Sequence, residues 1–258
     1  MSLRAVLYYL REYLFPSGCG GCGEALFVAE DTYYGLCPNC RASFGKILVM
    51  EEQCKICGKL LISENDNCLS CREKAAAENS YHNEWLVRLQ ILFPYDAKFK
   101  KAIKSYKFGK TLGLGNFFSR CLEFSLESFE NEILKKAAWV PVPPRPGKMK
   151  KHGWDQIEFM ARLLERKNNR SKREKFSGNN CLPLSRCLSR LPSRSQKVLN
   201  QKEREKNLKG RILCKKPPPE IAILFDDILT TGATMNACAK ALLEGGCKKV
   251  YGVCLFYG

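Results

Sequence analysis

No apolar run in this sequence approaches the length needed to span a bilayer, so a membrane-crossing helix is not expected. The amino-terminal stretch Met1 to Phe15 places Leu3, Val6, Leu7, Leu10 and Leu14 at helical spacing. Arg4, Arg11 and Glu12 interrupt it, and no small-residue cleavage site follows. Residues 1–17 are expected to form a packing helix in a cytoplasmic protein, with a membrane-surface helix as the alternative. Acidic side chains are also scarce: 26 Asp and Glu stand against 43 Lys and Arg, a formal net charge of +17. That imbalance argues against a neutral metabolite as sole partner and favours an anionic substrate or a polyanion, a solvated basic surface being the bland alternative. The 258 residues, 45% of them hydrophobic, allow one full α/β domain with a small satellite.

Cysteine, by contrast, is plentiful and unevenly placed. Eight of the 15 form four Cys-x-x-Cys pairs, Cys19/Cys22, Cys37/Cys40, Cys54/Cys57 and Cys68/Cys71, separated by 14, 13 and 10 residues. Two intervening residues let both thiolates of a pair reach one tetrahedral metal, so four pairs predict two structural zinc sites in residues 18–72. Joining the first two pairs on one zinc and the last two on another closes the shorter loops; interleaved pairing satisfies the same spacing. Four thiolates leave no open coordination position, so this double zinc ribbon is a metal staple or a docking surface for nucleic acid or protein, not a catalytic centre. The other seven cysteines lack ligand spacing and read as small buried hydrophobes in a reducing compartment.

The second domain is expected over residues 84–258, after a polar linker from Arg72 to Asn83. Trp85 to Tyr95 reads as a strand and Asp96 to Phe108 as a basic amphipathic helix. The lysines of that helix form either a solvated face or a phosphate track. Phe117 to Ile133 reads as a second amphipathic helix, Ala138 to Pro143 as a strand, and Ile157 to about Arg166 as a third helix. Lys167 to Asn180 reads as a charged mobile loop and Lys249 to Phe256 as a last strand. His152, alone in a basic loop, is expected to pack or face solvent.

Residues 221–235 carry the chemistry. Ile221 to Phe225 is an unbroken apolar run, suited to a strand buried on both faces of a parallel sheet. Asp226 and Asp227 follow, then Thr230-Thr231-Gly232-Ala233-Thr234, opening a helix that runs to Gly245-Gly246. Free N–H groups at a helix start, a glycine that allows close approach and several hydroxyls suit a phosphate. Two carboxylates suit the hydroxyls of a vicinal diol. The pattern resembles the signature of type I phosphoribosyltransferases. The resemblance implies an α/β fold with a parallel sheet flanked by helices and a site for phosphoribosyl pyrophosphate (PRPP) with Mg²⁺. In that site Asp226 and Asp227 would hold the ribose hydroxyls, and Thr230, Thr231, Gly232, Ala233 and Thr234 would wrap the 5′-phosphate.

Upstream, Val140-Pro141-Val142-Pro143, a basic loop, Gly153-Trp154 and then Asp155-Gln156 at a helix start resemble the ComF family of competence-associated proteins. Those proteins join a zinc module to a phosphoribosyltransferase-like domain. The Leu14-Phe15-Pro16 lead-in to Cys19 is similar as well. The resemblance places pyrophosphate at Pro144, Arg145 and Lys148, and a flexible catalytic loop at Arg190, Arg194 and Gln196. The family's R-x-R-x-T stands here as Ser189-Arg190-Leu191-Pro192-Ser193, with the arginines out of register. What it implies is a part in DNA uptake and natural transformation through single-stranded DNA and competence-machinery partners. Two alternatives are an active phosphoribosyltransferase of unidentified acceptor and a PRPP sensor without turnover.

Overall fold

The computed structural model describes residues 16–48, 54, 61, 64–76, 85–94, 97–109, 111–173, 181–192, 208 and 210–257. Residues 1–15 of the helix expected over 1–17, with Cys57, Arg194 and Gln196, lie outside them, and Ser17, at the end of that expected helix, is in a strand. In chain order the elements begin with β1 (Ser17–Gly18), β2 (Ala25–Leu26), α1 (Ala29–Tyr34), α2 (Pro38–Leu48) and α3 (Leu69–Ala76). Then come β3 (Arg88–Pro94), α4 (Ala97–Gly109), α5 (Gly113–Ser125), α6 (Asn131–Leu134), β4 (Ala137–Pro141), α7 (Lys148–His152) and α8 (Gln156–Arg173). The chain closes with β5 (Leu188–Arg190), β6 (Ile212–Cys214), β7 (Ile221–Leu229), α9 (Ala233–Glu244) and β8 (Lys249–Tyr257).

A parallel sheet of order β3-β8-β7-β4 forms the centre, a mixed α/β architecture with helices on both faces. Leu184 extends it beyond β4: Trp139 N donates to Pro183 O and Ser185 N to Trp139 O. Because strand side chains alternate, β7 divides its apolar run between two cores. Ile221, Ile223 and Phe225 join the layer containing Phe118, Met160 and Tyr106, whereas Ala222 and Leu224 join the layer containing Met235, Cys238 and Leu242. Strand β7 runs beyond the apolar stretch through Asp226 and Asp227, paired with β8 as far as Leu229↔Tyr257. The two acids therefore sit on a fixed strand.

Helix boundaries differ from the sequence expectation in three places. The helix expected over Phe117 to Ile133 starts at Gly113 and stops at Ser125, followed by a short 3-10 turn, an extended Phe129 and then α6. Ser125 and Ser128 hydroxyls bond back to the Leu122 and Ser125 carbonyls, and Phe129 turns out to pack edge-on against Tyr251, which ends the helix. The segment expected to be a loop from Lys167 is helical through Arg173, held by Lys167 Nζ on Glu123 Oε2 at 2.5 Å. The expected linker at Arg72 begins as the end of α3.

The first cysteine module is welded to the sheet domain. Phe44 of α2 is 1% exposed and sits among Phe93, Phe99, Phe117 and Phe118, with centroids 4.6–6.2 Å away. A Cβ on Gly113 would lie 2.5 Å from Gly35 N and 2.6 Å from Thr32 O, so only glycine lets α5 and the end of α1 meet. Asn116 Nδ2 donates to Tyr33 O at 2.9 Å and Lys101 Nζ to Cys22 O at 2.6 Å.

Candidate functional site

The carboxyl ends of β4 and β7 open into a cleft of about 1090 Å³. In open α/β sheets, ligands bind in such crevices outside the strand carboxyl ends. Its walls are the loop Val142 to Lys148, the start of α8, the end of α4, Arg190, and the run from Asp226 through the Thr loop to Met235. The sequence-predicted residues Asp226, Asp227, Thr230, Thr231, Gly232, Ala233, Thr234, Pro144, Arg145, Lys148 and Arg190 all line it.

Gly232 caps α9 with φ +75°, a left-handed conformation that glycine adopts without strain, and the amino terminus of α9 faces the cleft. Thr231 Oγ1 accepts from Ala233 N at 3.5 Å. The helix ends as expected: Gly245 N and Gly246 N donate to Ala241 O and Leu243 O, and Gly246 has φ +103°.

Asp227, 5% exposed, has one oxygen occupied twice: Lys107 Nζ lies 2.8 Å from Oδ2 and Gln156 Nε2 donates to it at 2.5 Å. Asp226 Oδ1 accepts the Asp227 N–H at 2.8 Å. Burial, then the neighbouring Asp227 charge, raises the Asp226 carboxyl to about 7. Each carboxylate thus uses one oxygen for internal bonds, and both residues line the cleft.

A second acid organises the opposite wall. Asp155 Oδ1 accepts Ile157 N at 3.0 Å and Glu158 N at 2.9 Å, capping α8, while its Oδ2 takes Lys148 Nζ at 2.5 Å. Lys148 also donates to Gln156 Oε1 at 2.6 Å. The predicted pyrophosphate lysine is therefore an anchor joining the loop to α8, with Gln156 carrying the connection on to Asp227. Tyr106 OH donates to Gln156 O at 2.8 Å and ties α4 into the same network. Arg145 and Arg190 also line the cleft. Burial lowers the pKa of Arg145; burial, then the charge of Arg145, lowers that of Arg190. An anion between these guanidinium groups would relieve both costs.

Sequence reasoning missed Lys107 as a site residue, counting it among the α4 lysines, and left Phe108 as a helix end. A lysine next to an aromatic at the end of an amphipathic helix was the available signal. The Asp-Gln dipeptide was noticed as a pattern, but its capping and bridging roles are tertiary.

Among the described residues the metal-spaced cysteines form two clusters. Sulfur atoms of Cys19, Cys22, Cys37 and Cys40 lie within 4.8 Å of one another, and those of Cys54, Cys68 and Cys71 do likewise. The first two pairs thus share one site, which is the sequential arrangement. Cys22 and Cys37 sulfurs are 3.8 Å apart, the edge expected of a tetrahedron with Zn–S bonds of about 2.3 Å. Burial opposes ionisation of Cys19, but N–H groups of Cys37, Cys22 and Gly21 outweigh it and lower the thiol to about 6. Burial, with the neighbouring Cys37 thiol and Cys19 charge, raises Cys40. A bound dication would let all four ionise together, so the residues fit zinc. Outside these clusters Cys121, Cys187, Cys238, Cys247 and Cys254 are buried; Cys181 and Cys214 are half-buried.

Comparison with known proteins agrees with both halves. The double zinc ribbon domain family matches residues 10–73. Competence protein ComFC of Streptococcus pneumoniae is 27% identical over 83% of this chain and 84% of its own length. Competence protein F of Haemophilus influenzae is 23% identical over 92% and 95%, and Competence protein ComFC of Bacillus subtilis 24% over 82% and 79%. Over most of its length the chain is similar to competence proteins of the ComF type. The alignment with Competence protein F, over 92% of this chain, takes in most of both the cysteine module and the sheet domain. Among the described residues no helix is long and apolar enough to cross a membrane.

Proposed function

We propose that this ComF-like chain acts in competence, and that its cleft binds the sugar-phosphate part of PRPP. The observation that carries the reading is the acid pair of Asp226 and Asp227 on a fixed strand end, beside the amino terminus of α9. The two carboxylates take the ribose hydroxyls; the Thr230 to Thr234 turn takes the 5′-phosphate through N–H groups and hydroxyls. Arg145 and Arg190 take the pyrophosphate, with Lys148 holding the loop that presents Arg145. Mg²⁺ arriving with PRPP would neutralise pyrophosphate charge. Thermal stabilisation by PRPP with Mg²⁺ tests this: wild type should gain several degrees and Asp227→Asn less than half of that. An equal gain in the variant would refute the assignment.

The competence role comes from the relatives' names together with the +17 charge, which suits single-stranded DNA. Fluorescence anisotropy with an oligonucleotide should show affinity falling steeply with salt, because neutralised phosphates release counterions. No binding even at low salt would remove the DNA part and leave PRPP binding intact. A second reading, phosphoribosyl transfer, is favoured by the arginines lining the cleft. Breaking the C1–O bond of PRPP sends an electron pair and negative charge to pyrophosphate, and Arg145 and Arg190 are placed to steady that charge. Pyrophosphate release across a panel of bases and amines would distinguish turnover from sensing.

A further inference from the structure

We propose that the outer face of α4 is the track along which this chain holds single-stranded DNA, and that the zinc module takes no part in gripping the phosphates. The inference deepens the DNA reading above and rests on it. Positive charge is unevenly shared along the chain. Residues 18–72 carry seven acidic and five basic side chains, so the excess behind the net +17 lies outside the cysteine module. Helix α4 concentrates it, with five lysines and no acid in 13 residues. Its inner face, Phe99, Ala102, Ile103 and Tyr106, is buried in the core, and Lys100, Lys101 and Lys104 come out exposed on the other side.

Elsewhere on the molecule, surface bases are met by acids. Arg41 pairs with Glu30, Lys135 with Glu132 and Arg162 with Glu158, while Lys136 and Lys248 share Glu220. Among the described residues no carboxylate pairs with Lys101 or Lys104. Like charges one helical turn apart repel, and a bound polyanion removes that cost. Spacing and rigidity also suit a strand. Lys100, Lys104 and Phe108 follow one another at i+4, about 6 Å apart along the helix axis. The row is pinned towards both ends: Lys101 Nζ donates to Cys22 O at 2.6 Å, and Lys107 Nζ lies 2.8 Å from Asp227 Oδ2. Phe108 is 74% exposed, and among the described residues no other aromatic ring packs on it. A bare ring in line with lysines gives an unstacked base a surface to lie on, whereas the bases of a duplex are already stacked on one another. The row therefore joins phosphate contacts to a sequence-tolerant stacking site and selects single strands over double.

Fluorescence anisotropy of the full, zinc-loaded chain with labelled oligothymidine over a range of salt concentrations tests this. Each phosphate contact adds about 0.7 to the slope of log affinity against log salt, so Lys100→Gln with Lys104→Gln should lower the slope by about 1.4. Phe108→Ala should weaken binding roughly 5- to 150-fold with the slope unchanged, and Phe108→Trp should bind as wild type does. Lys46→Gln with Lys248→Gln removes one exposed lysine from the zinc module and one from the start of β8, and should leave the slope as it is. An equal fall in slope for both lysine pairs would mean diffuse attraction with no track and would overturn the proposal. So would a wild-type slope in the Lys100/Lys104 variant, or a duplex of the same length binding as tightly as the single strand. Each of those results leaves DNA binding itself standing; no binding by wild type even at low salt would bring down both.

Discussion

At the scale of single residues, the site depends on an acid that is costly to ionise. Asp226 is raised to about 7 by burial and then by the Asp227 charge, so the folded state holds its proton more tightly than the unfolded chain does. Its contribution to stability is therefore complete below about pH 4, the unfolded carboxyl range, and is lost as pH rises through about 7. Urea melts of the ligand-free protein from pH 4 to 8 should show this decline superimposed on other titrations, and Asp226→Asn should flatten it. An Asp226→Asn profile parallel to wild type would mean the carboxyl is not buried as described. Residue identity was legible here from a short motif. The raised pKa was not, because its largest cause is burial, which only the packed tertiary structure supplies.

At the scale of elements, glycine and phenylalanine decide how the zinc module meets the sheet domain. A methyl group on Gly113 would sit 2.5 Å from the backbone N of Gly35, which cannot move without shifting α1. Gly113→Ala should therefore destabilise by about 1–3 kcal/mol, the usual cost of overpacking, even though alanine is the better helix former. Phe44→Ala should cost about 3–5 kcal/mol through the cavity left among the four rings around it. Denaturant unfolding measures both, and a neutral Gly113→Ala would show that the two elements do not abut. Helix existence was legible from periodicity, as for α4, whose Phe99, Ala102, Ile103 and Tyr106 are all buried. Helix ends were less so. The stop at Ser125 comes from serine back-bonding and from the place where Phe129 packs, and α8 is lengthened by its Lys167–Glu123 contact with α5.

At the scale of the whole molecule, the metal cluster and the cleft are linked by one helix. The first cluster contributes Cys19, Cys37 and Cys40 to the same core as Phe93, Tyr106 and Phe225, and α4 touches Cys22 at Lys101 and Asp227 at Lys107. Zinc removal with a strong chelator should therefore lower the melting temperature of the entire chain, not only of residues near the cysteines. Hydrogen exchange should also show loosening of α4. Unchanged protection of α4 after verified loss of zinc would disprove the linkage. By itself the sequence determined the metal-ligand types, the parallel strand, the threonine-rich turn at a helix start and the acid pair. Each of these is written in a local run where residue spacing alone limits the geometry. Tertiary structure decided which cysteines share a site, that Lys148 anchors a loop to Asp155, and that Lys107 and Gln156 converge on Asp227. Those pairings join segments up to 120 residues apart (Lys107 to Asp227), and only the packing of α4 and α8 on the sheet brings them within hydrogen-bond reach.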